Sequence, residues 1–241
     1  MSELNVITWF FFSEMSETAV TEVEEKKPKT WGYIKDCCDL VCCDWSEIAP
    51  AGNGKAQSPI DIVDAKPCGE LQPISINYDN ATVESIFNNG HSVQVKISPG
   101  STITGNDAFI TRPNVILNKD YRVEGLFWFL GAHLNGEYEL IQFHFHWGSK
   151  RGQGAEHLIG GESSDAELHF VHAKKCPDIP DYNPLEHSDG LAVLGVRLVE
   201  MDWRENTTFK TLTDHFKNLA EIGKEYPCIG MLHTSSIYRA L

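Results

Sequence analysis

From Gln57 onward the chain is written in short apolar runs, many of them alternating, cut by Gly, Pro, Asn and Asp. No other feature constrains the fold as much. Successive side chains of a strand point to opposite faces, so a period of two marks a strand with one face toward a core. Ile74-Ser75-Ile76-Asn77-Tyr78 alternates, and so does Val93-Gln94-Val95-Lys96-Ile97 after the turn signal Asn88-Asn89-Gly90. Leu140 to Trp147, Glu167 to His172 and Leu191 to Val199 complete the strong strand candidates. Spaced strands without an internal repeat predict a mainly β, α+β fold around a large, mostly antiparallel sheet. One segment differs. Phe209, Leu212, Phe216 and Leu219 recur at three- and four-residue steps, the spacing of one helix face. Asn206 or Thr207 can cap that helix and Gly223 can stop it, and we read its apolar stripe as core packing.

Composition narrows the function classes. The 241 residues carry 34 acidic against 20 basic side chains, a formal charge of −14. That balance disfavours phosphate-backbone binding, so no nucleic-acid partner is expected. The longest strongly apolar run, Val6 to Phe12, is far too short to span a membrane. No Lys or Arg precedes Lys26, so a secretory signal is not expected, and Met15 is as good a start as Met1. Residues 1–30 read as a solvated tail before a single domain. Seven Cys leave at least one thiol unpaired within the chain, and four crowd into Cys37-Cys38-Asp39-Leu40-Val41-Cys42-Cys43. A zinc knuckle, palmitoylated thiols and a plain set of reduced thiols all fit that cluster. Asn80 and Asn206 head glycosylation triplets, which matter only in a secreted chain.

The chemistry lies in two strand candidates. In Gln142-Phe143-His144-Phe145-His146-Trp147 the residues Gln142, His144 and His146 share one face, and Phe143, Phe145 and Trp147 point into apolar packing. In Glu167-Leu168-His169-Phe170-Val171-His172 the residues Glu167, His169 and Val171 share a face, which leaves His172 structural on the other. If the two strands are neighbours, His169 joins His144 and His146 in a three-imidazole site. Neutral imidazoles suit Zn2+, and three protein ligands leave a fourth position open, the pattern of a catalytic rather than structural site. Gln142 and Glu167 each sit one strand step from a ligand and can fix its tautomer. His133, His157, His187, His215 and His233 lack such support.

These two segments resemble the zinc site of the alpha-type carbonic anhydrases. Trp31-Gly32-Tyr33, Gln57-Ser58-Pro59-Ile60-Asp61-Ile62, Asn88-Asn89-Gly90-His91, Gly152 to His157 and Asp189 to Gly195 match further family segments in order. The resemblance runs from about Trp31 to about Glu225. It implies a single domain over 31–225 with a twisted, mostly antiparallel sheet, a few peripheral helices, Zn2+ at the base of a cone, and reversible hydration of CO2 to bicarbonate and a proton. It implies that His91 is the proton shuttle, that Tyr33, Asn89 and Gln94 hold waters along its path, and that Val171 and Val193 form the apolar wall for CO2. Gly52 stands where secreted members carry a Cys, which with the missing signal favours a cytoplasmic form, and a monomer is expected. After about residue 225 the sequence reads as a divergent tail, 226–241, and the domain as incomplete. The family's Leu-Thr-Thr-Pro-Pro segment has no match within the 241 residues. Its first Thr would be the partner of a buried Glu, here Glu156. The expectation is therefore a zinc enzyme, with a catalytically weak zinc-binding relative or truncated isoform as the alternative.

Overall fold

The structure is a computed structural model that describes residues 3–7, 30–31, 41–42, 49–64, 74–78, 81–104, 134–200, 205–228 and 233–239. In chain order the strands are β1 (Glu3–Ile7), β2 (Thr30–Trp31), β3 (Val41–Cys42), β4 (Asp61–Ile62), β5 (Ser75–Asn77), β6 (Val83–Asn88), β7 (Val93–Ile97), β8 (Thr102–Thr104), β9 (Glu137–Trp147), β10 (Leu158–Ile159), β11 (Ala166–Lys174), β12 (Leu191–Leu198) and β13 (Glu225–Pro227). Among the described residues the α-helices are α1 (Thr207–Thr213) and α2 (Thr234–Arg239). Nine strands form one curled sheet in the order β1-β12-β11-β9-β7-β6-β13, with β8 beside β9 and β5 beside β8. Every pairing within it is antiparallel. The strand candidates thus fall where alternation places them, and the fold is mainly β with few helices.

The two long central strands are built from opposite faces. On β9, Phe143 and Phe145 are buried, while Gln142, His144 and His146 between them are partly exposed. Phe143 meets Phe170 of β11 at a ring-centroid distance of 5.3 Å. Phe145 meets Phe209 and Phe216 at 6.1 and 5.5 Å. The expected helical stripe therefore packs under β9, on the face away from the imidazoles. Trp147 departs from expectation: it ends its strand beyond this cluster and is 57% exposed.

The helix itself is shorter than its periodicity predicts. Asn206 caps it, its side chain accepting from Phe209 N–H at 3.2 Å, so this glycosylation triplet opens a helix. The α-helical bonding ends at Thr213, and after a turn the chain tightens into a 3-10 segment, Phe216–Leu219. Gly223 then follows with φ +79°. Tighter winding still keeps Phe216 and Leu219 on the core side, which is why the apolar spacing alone did not reveal the break.

Both ends depart from the expected tails. Glu3–Ile7, within the stretch expected to be solvated, pairs with Ile7 opposite Val193 and Glu3 opposite Arg197 at the β12 edge. Beyond residue 225, β13 pairs with β6, and Cys228, Thr234 and Ile237 are buried. The Thr234 hydroxyl donates to the Tyr78 carbonyl at 2.7 Å and lies 2.7 Å from Ser101 Oγ. Ile237 of this segment joins the hydrophobic core. Of the cysteine cluster, only Cys42, in β3, lies among the described residues; Cys176 and Cys228 are free thiols. No helix among the described residues is long and apolar enough to cross a membrane.

Candidate metal centre

β9 and β11 are neighbours, and their register sets His169 directly opposite His144 and Glu167 opposite His146. Direct cross-strand partners share a face. The ring centroids lie 4.9 Å apart for His144 and His146, 5.3 Å for His144 and His169, and 4.7 Å for His146 and His169. One ring nitrogen from each of the three lies within 4.8 Å of the others. The pleat supplies the pair on β9 and the register supplies the third ring.

Hydrogen bonds fix which nitrogens converge. His144 Nδ1–H donates to Gln142 Oε1 at 2.9 Å, which leaves Nε2 with its lone pair. His169 Nε2–H donates to Glu167 Oε1 at 2.7 Å, which leaves Nδ1. Burial, then the neighbouring His169 and His146, pushes the His144 imidazole down to about 3. Burial, then His169, does the same to His146, also to about 3. Both rings are therefore neutral at physiological pH, the form that binds a metal. The donor set, three converging imidazoles of which His144 and His169 have set tautomers, fits Zn2+.

Glu167 does more than orient one ligand. Its side chain is fully buried. Oε1 also accepts from His157 Nδ1–H at 2.5 Å, and Oε2 accepts the backbone N–H of Glu156 at 2.9 Å and of His157 at 2.8 Å. Burial pushes this carboxyl up, but the hydrogen bonds from His157 and His169 and their charge outweigh it and hold it well below the usual carboxylate range. His157, unsupported in the sequence, is thus a full member of the site. It is completely buried, and its Nε2 accepts from Ser58 Oγ–H at 3.2 Å. No periodic signal marks it, because it reaches Glu167 from a loop. A second cluster able to hold a metal, His157, Glu167 and His169, shares His169 with the first.

The remaining expected residues are placed around it. Gln94 of β7 is the direct partner of His144. Asn89 Nδ2–H donates to Gln94 Oε1 at 3.4 Å, and Asn89 Oδ1 accepts the backbone N–H of His91 and of Ser92 at 2.9 and 2.7 Å. His91 thus sits in the β6–β7 turn, beside Gly90 at φ +91°, with its imidazole pushed below 6.5 by partial burial. Val171 and Val193 are direct partners across β11 and β12, one strand step from the His169–Gly195 pair. His172 is buried on the opposite face, its Nδ1–H donating to the Ala192 carbonyl at 3.0 Å and its Nε2 accepting from Tyr78 O–H at 2.5 Å. Tyr33 lies outside the described residues.

Fold and site together define a curled antiparallel-sheet protein with a three-imidazole cluster able to hold a metal. The chain belongs to the eukaryotic-type carbonic anhydrase family, whose profile matches residues 41–238. That range continues past residue 225, where the resemblance was expected to stop. It is 36% identical over 188 residues to human carbonic anhydrase 7, covering 76% of this chain and 60% of that protein. Mouse carbonic anhydrase 7 is 37% identical over the same shares, and mouse carbonic anhydrase 1 is 32% identical over 185 residues, 76% of this chain and 61% of its own. The chain thus spans about 60% of the length of the curated relatives it matches.

Proposed function

We propose that the chain binds one Zn2+ through His144, His146 and His169 and serves the reversible hydration of CO2 to bicarbonate and a proton. The observation that carries this is the convergence of three imidazole nitrogens within 4.8 Å. When bound there, zinc supplies a Lewis acid that makes water nucleophilic near neutral pH. Gln142 and Glu167 hold the ligand rings in the tautomers that offer lone pairs inward. Val171 and Val193, on the same side of the sheet as His169, offer an apolar surface suited to an uncharged, linear substrate. His91 passes protons to buffer, and its lowered pKa keeps the ring free to accept one. Asn89 fixes the backbone of that turn, and Gln94 bridges it toward His144. A cytoplasmic location belongs to the same proposal and is supported by Gly52 in place of Cys.

The other reading is a zinc-binding module of this fold with weak catalysis. One observation favours it: the Glu156 carboxylate stands beside His146 and His169. Stopped-flow CO2 hydration by the zinc-loaded and chelator-stripped protein separates the two. Turnover that disappears on stripping and returns with zinc supports the enzyme. A zinc-loaded protein no faster than buffer supports the module.

A further inference from the structure

Arg197 is the one charged residue of β12, whose other members are Leu, Ala, Val and Gly. It is only 8% exposed. Its direct partner on β11 is Glu167. Direct partners share a face, so Arg197 leaves β12 on the side that carries His169. Leu194 and Val196, opposite Phe170 and Leu168, lie on the other side and are fully buried. The core is thus filled from the other face, and Arg197 answers to something on the metal side.

The guanidinium reaches a turn. Its Nη2–H donates to the Glu162 carbonyl at 2.9 Å. That carbonyl also accepts Ile159 N–H at 3.0 Å, and Glu162 N–H donates back to the Ile159 carbonyl at 3.1 Å. Gly160 and Gly161, at φ +58° and +83°, form the two-residue turn between them. A hydrogen bond from a charged donor is about twice as strong as a neutral one. The arm leading into the turn is β10, and His157 immediately precedes it. β10 pairs only with β4 among the described strands, so Arg197 ties the end of this small sheet to the large one. His157 Nδ1–H and His169 Nε2–H share Glu167 Oε1. A His157 that slid with the turn would draw that oxygen away from His169.

We propose that Arg197 is a positioning residue for the metal centre. By fixing the Ile159–Glu162 turn it holds His157 in place and, through Glu167, keeps the His169 lone pair aimed inward. The proposal rests on the zinc reading above, and Arg197 acts on the metal only through these residues.

The test measures zinc affinity of the full chain by competition with a chromophoric chelator, together with the NMR signals of the two ring N–H protons on Glu167 Oε1. Arg197→Met and Arg197→Gln remove the charge. Both should weaken zinc about tenfold, as loss of an outer partner of a ligand does, and broaden both ring signals. Arg197→Lys keeps a cation that can donate to a single carbonyl, so it should retain most of the affinity and both signals. Leu194→Ala empties a buried position on the other face of β12, so it should lower the unfolding midpoint and leave zinc affinity and ring signals as in wild type. Wild-type affinity and ring signals in Arg197→Met or Arg197→Gln, whichever folds, overturn the proposal. So does a lysine variant as weak as these two, or a loss matched by Leu194→Ala, which would make Arg197 a stability residue alone. His169→Ala holding zinc as tightly as wild type overturns the zinc reading instead, and this proposal with it.

Discussion

The two faces of β9 and β11 carry the same backbone and opposite logic. One face holds Phe143, Phe145 and Phe170, buried and specified by nothing beyond apolarity and size. The other holds His144, His146 and His169, specified by hydrogen bonds to Gln142 and Glu167. A packed face resists change through its volume, because a deletion leaves a cavity. A ligand face resists change through orientation, because a turned ring still packs but no longer points at the metal. The first should therefore govern stability and the second metal affinity.

Phe170→Ala attacks the packed face where it is fully buried between Tyr78 and Phe143. Urea unfolding of the metal-free protein should show a loss of about 3–5 kcal/mol. A loss comparable to that of a surface substitution would break the division between the faces. His172 gives a slightly smaller effect on the same side. Burial, against hydrogen bonds to backbone carbonyls, pushes its imidazole down to about 4. Below its ordinary 6.5 the unfolded chain takes up the proton first, so stability is whole above about 6.5, falls between about 6.5 and 4, and is flat below. The total is about 3 kcal/mol, and His144 and His146 titrate in the same direction in the metal-free chain. Stability measured against pH for His172→Gln should show a shallower slope over that window. An unchanged slope would place the titration elsewhere.

Glu167→Gln attacks the ligand face. The carboxylate accepts four N–H groups, two of them from His157 and His169 on one oxygen. An amide presents its own N–H groups to one of those pairs, so His169 loses its fixed tautomer. Zinc affinity should fall about 10–100-fold, read by competition with a chromophoric chelator. Unchanged affinity would mean that packing alone orients the ring. His91→Ala should have the mildest effect: slower turnover in dilute buffer, restored by added imidazole, with zinc content unchanged. Equal rates with and without His91 would reduce it to a turn residue.

The same contrast explains what the sequence revealed. Alternation put Phe143 and Phe145 on one face and His144 and His146 on the other, and a period of two leaves little freedom in that. Gln142 and Glu167 were legible because a strand step brings each onto its ligand. His157 was not, since it comes from a loop whose approach depends on Gly154 backbone contacts that no periodicity encodes, and Glu156, on the same loop, was named only through the family resemblance. Trp147 failed for the reverse reason: alternation gives its face but not where the core ends. The strand Glu3–Ile7 and the buried Thr234 and Ile237 lay hidden because their partners, β12 and the Tyr78–Ala81 region, are far away in sequence. The break in the helix was masked by a 3-10 turn that keeps apolar residues on one side.

The most direct test of the account is the zinc content of the purified protein beside that of His169→Ala, both shown to be folded by their far-ultraviolet spectra. His169 is the residue whose place in the centre depends on strand pairing rather than on local spacing, since it meets His144 only through the β9–β11 register. The account predicts about one zinc per chain in the wild type and close to none in the variant. Equal zinc in the two folded proteins would contradict it.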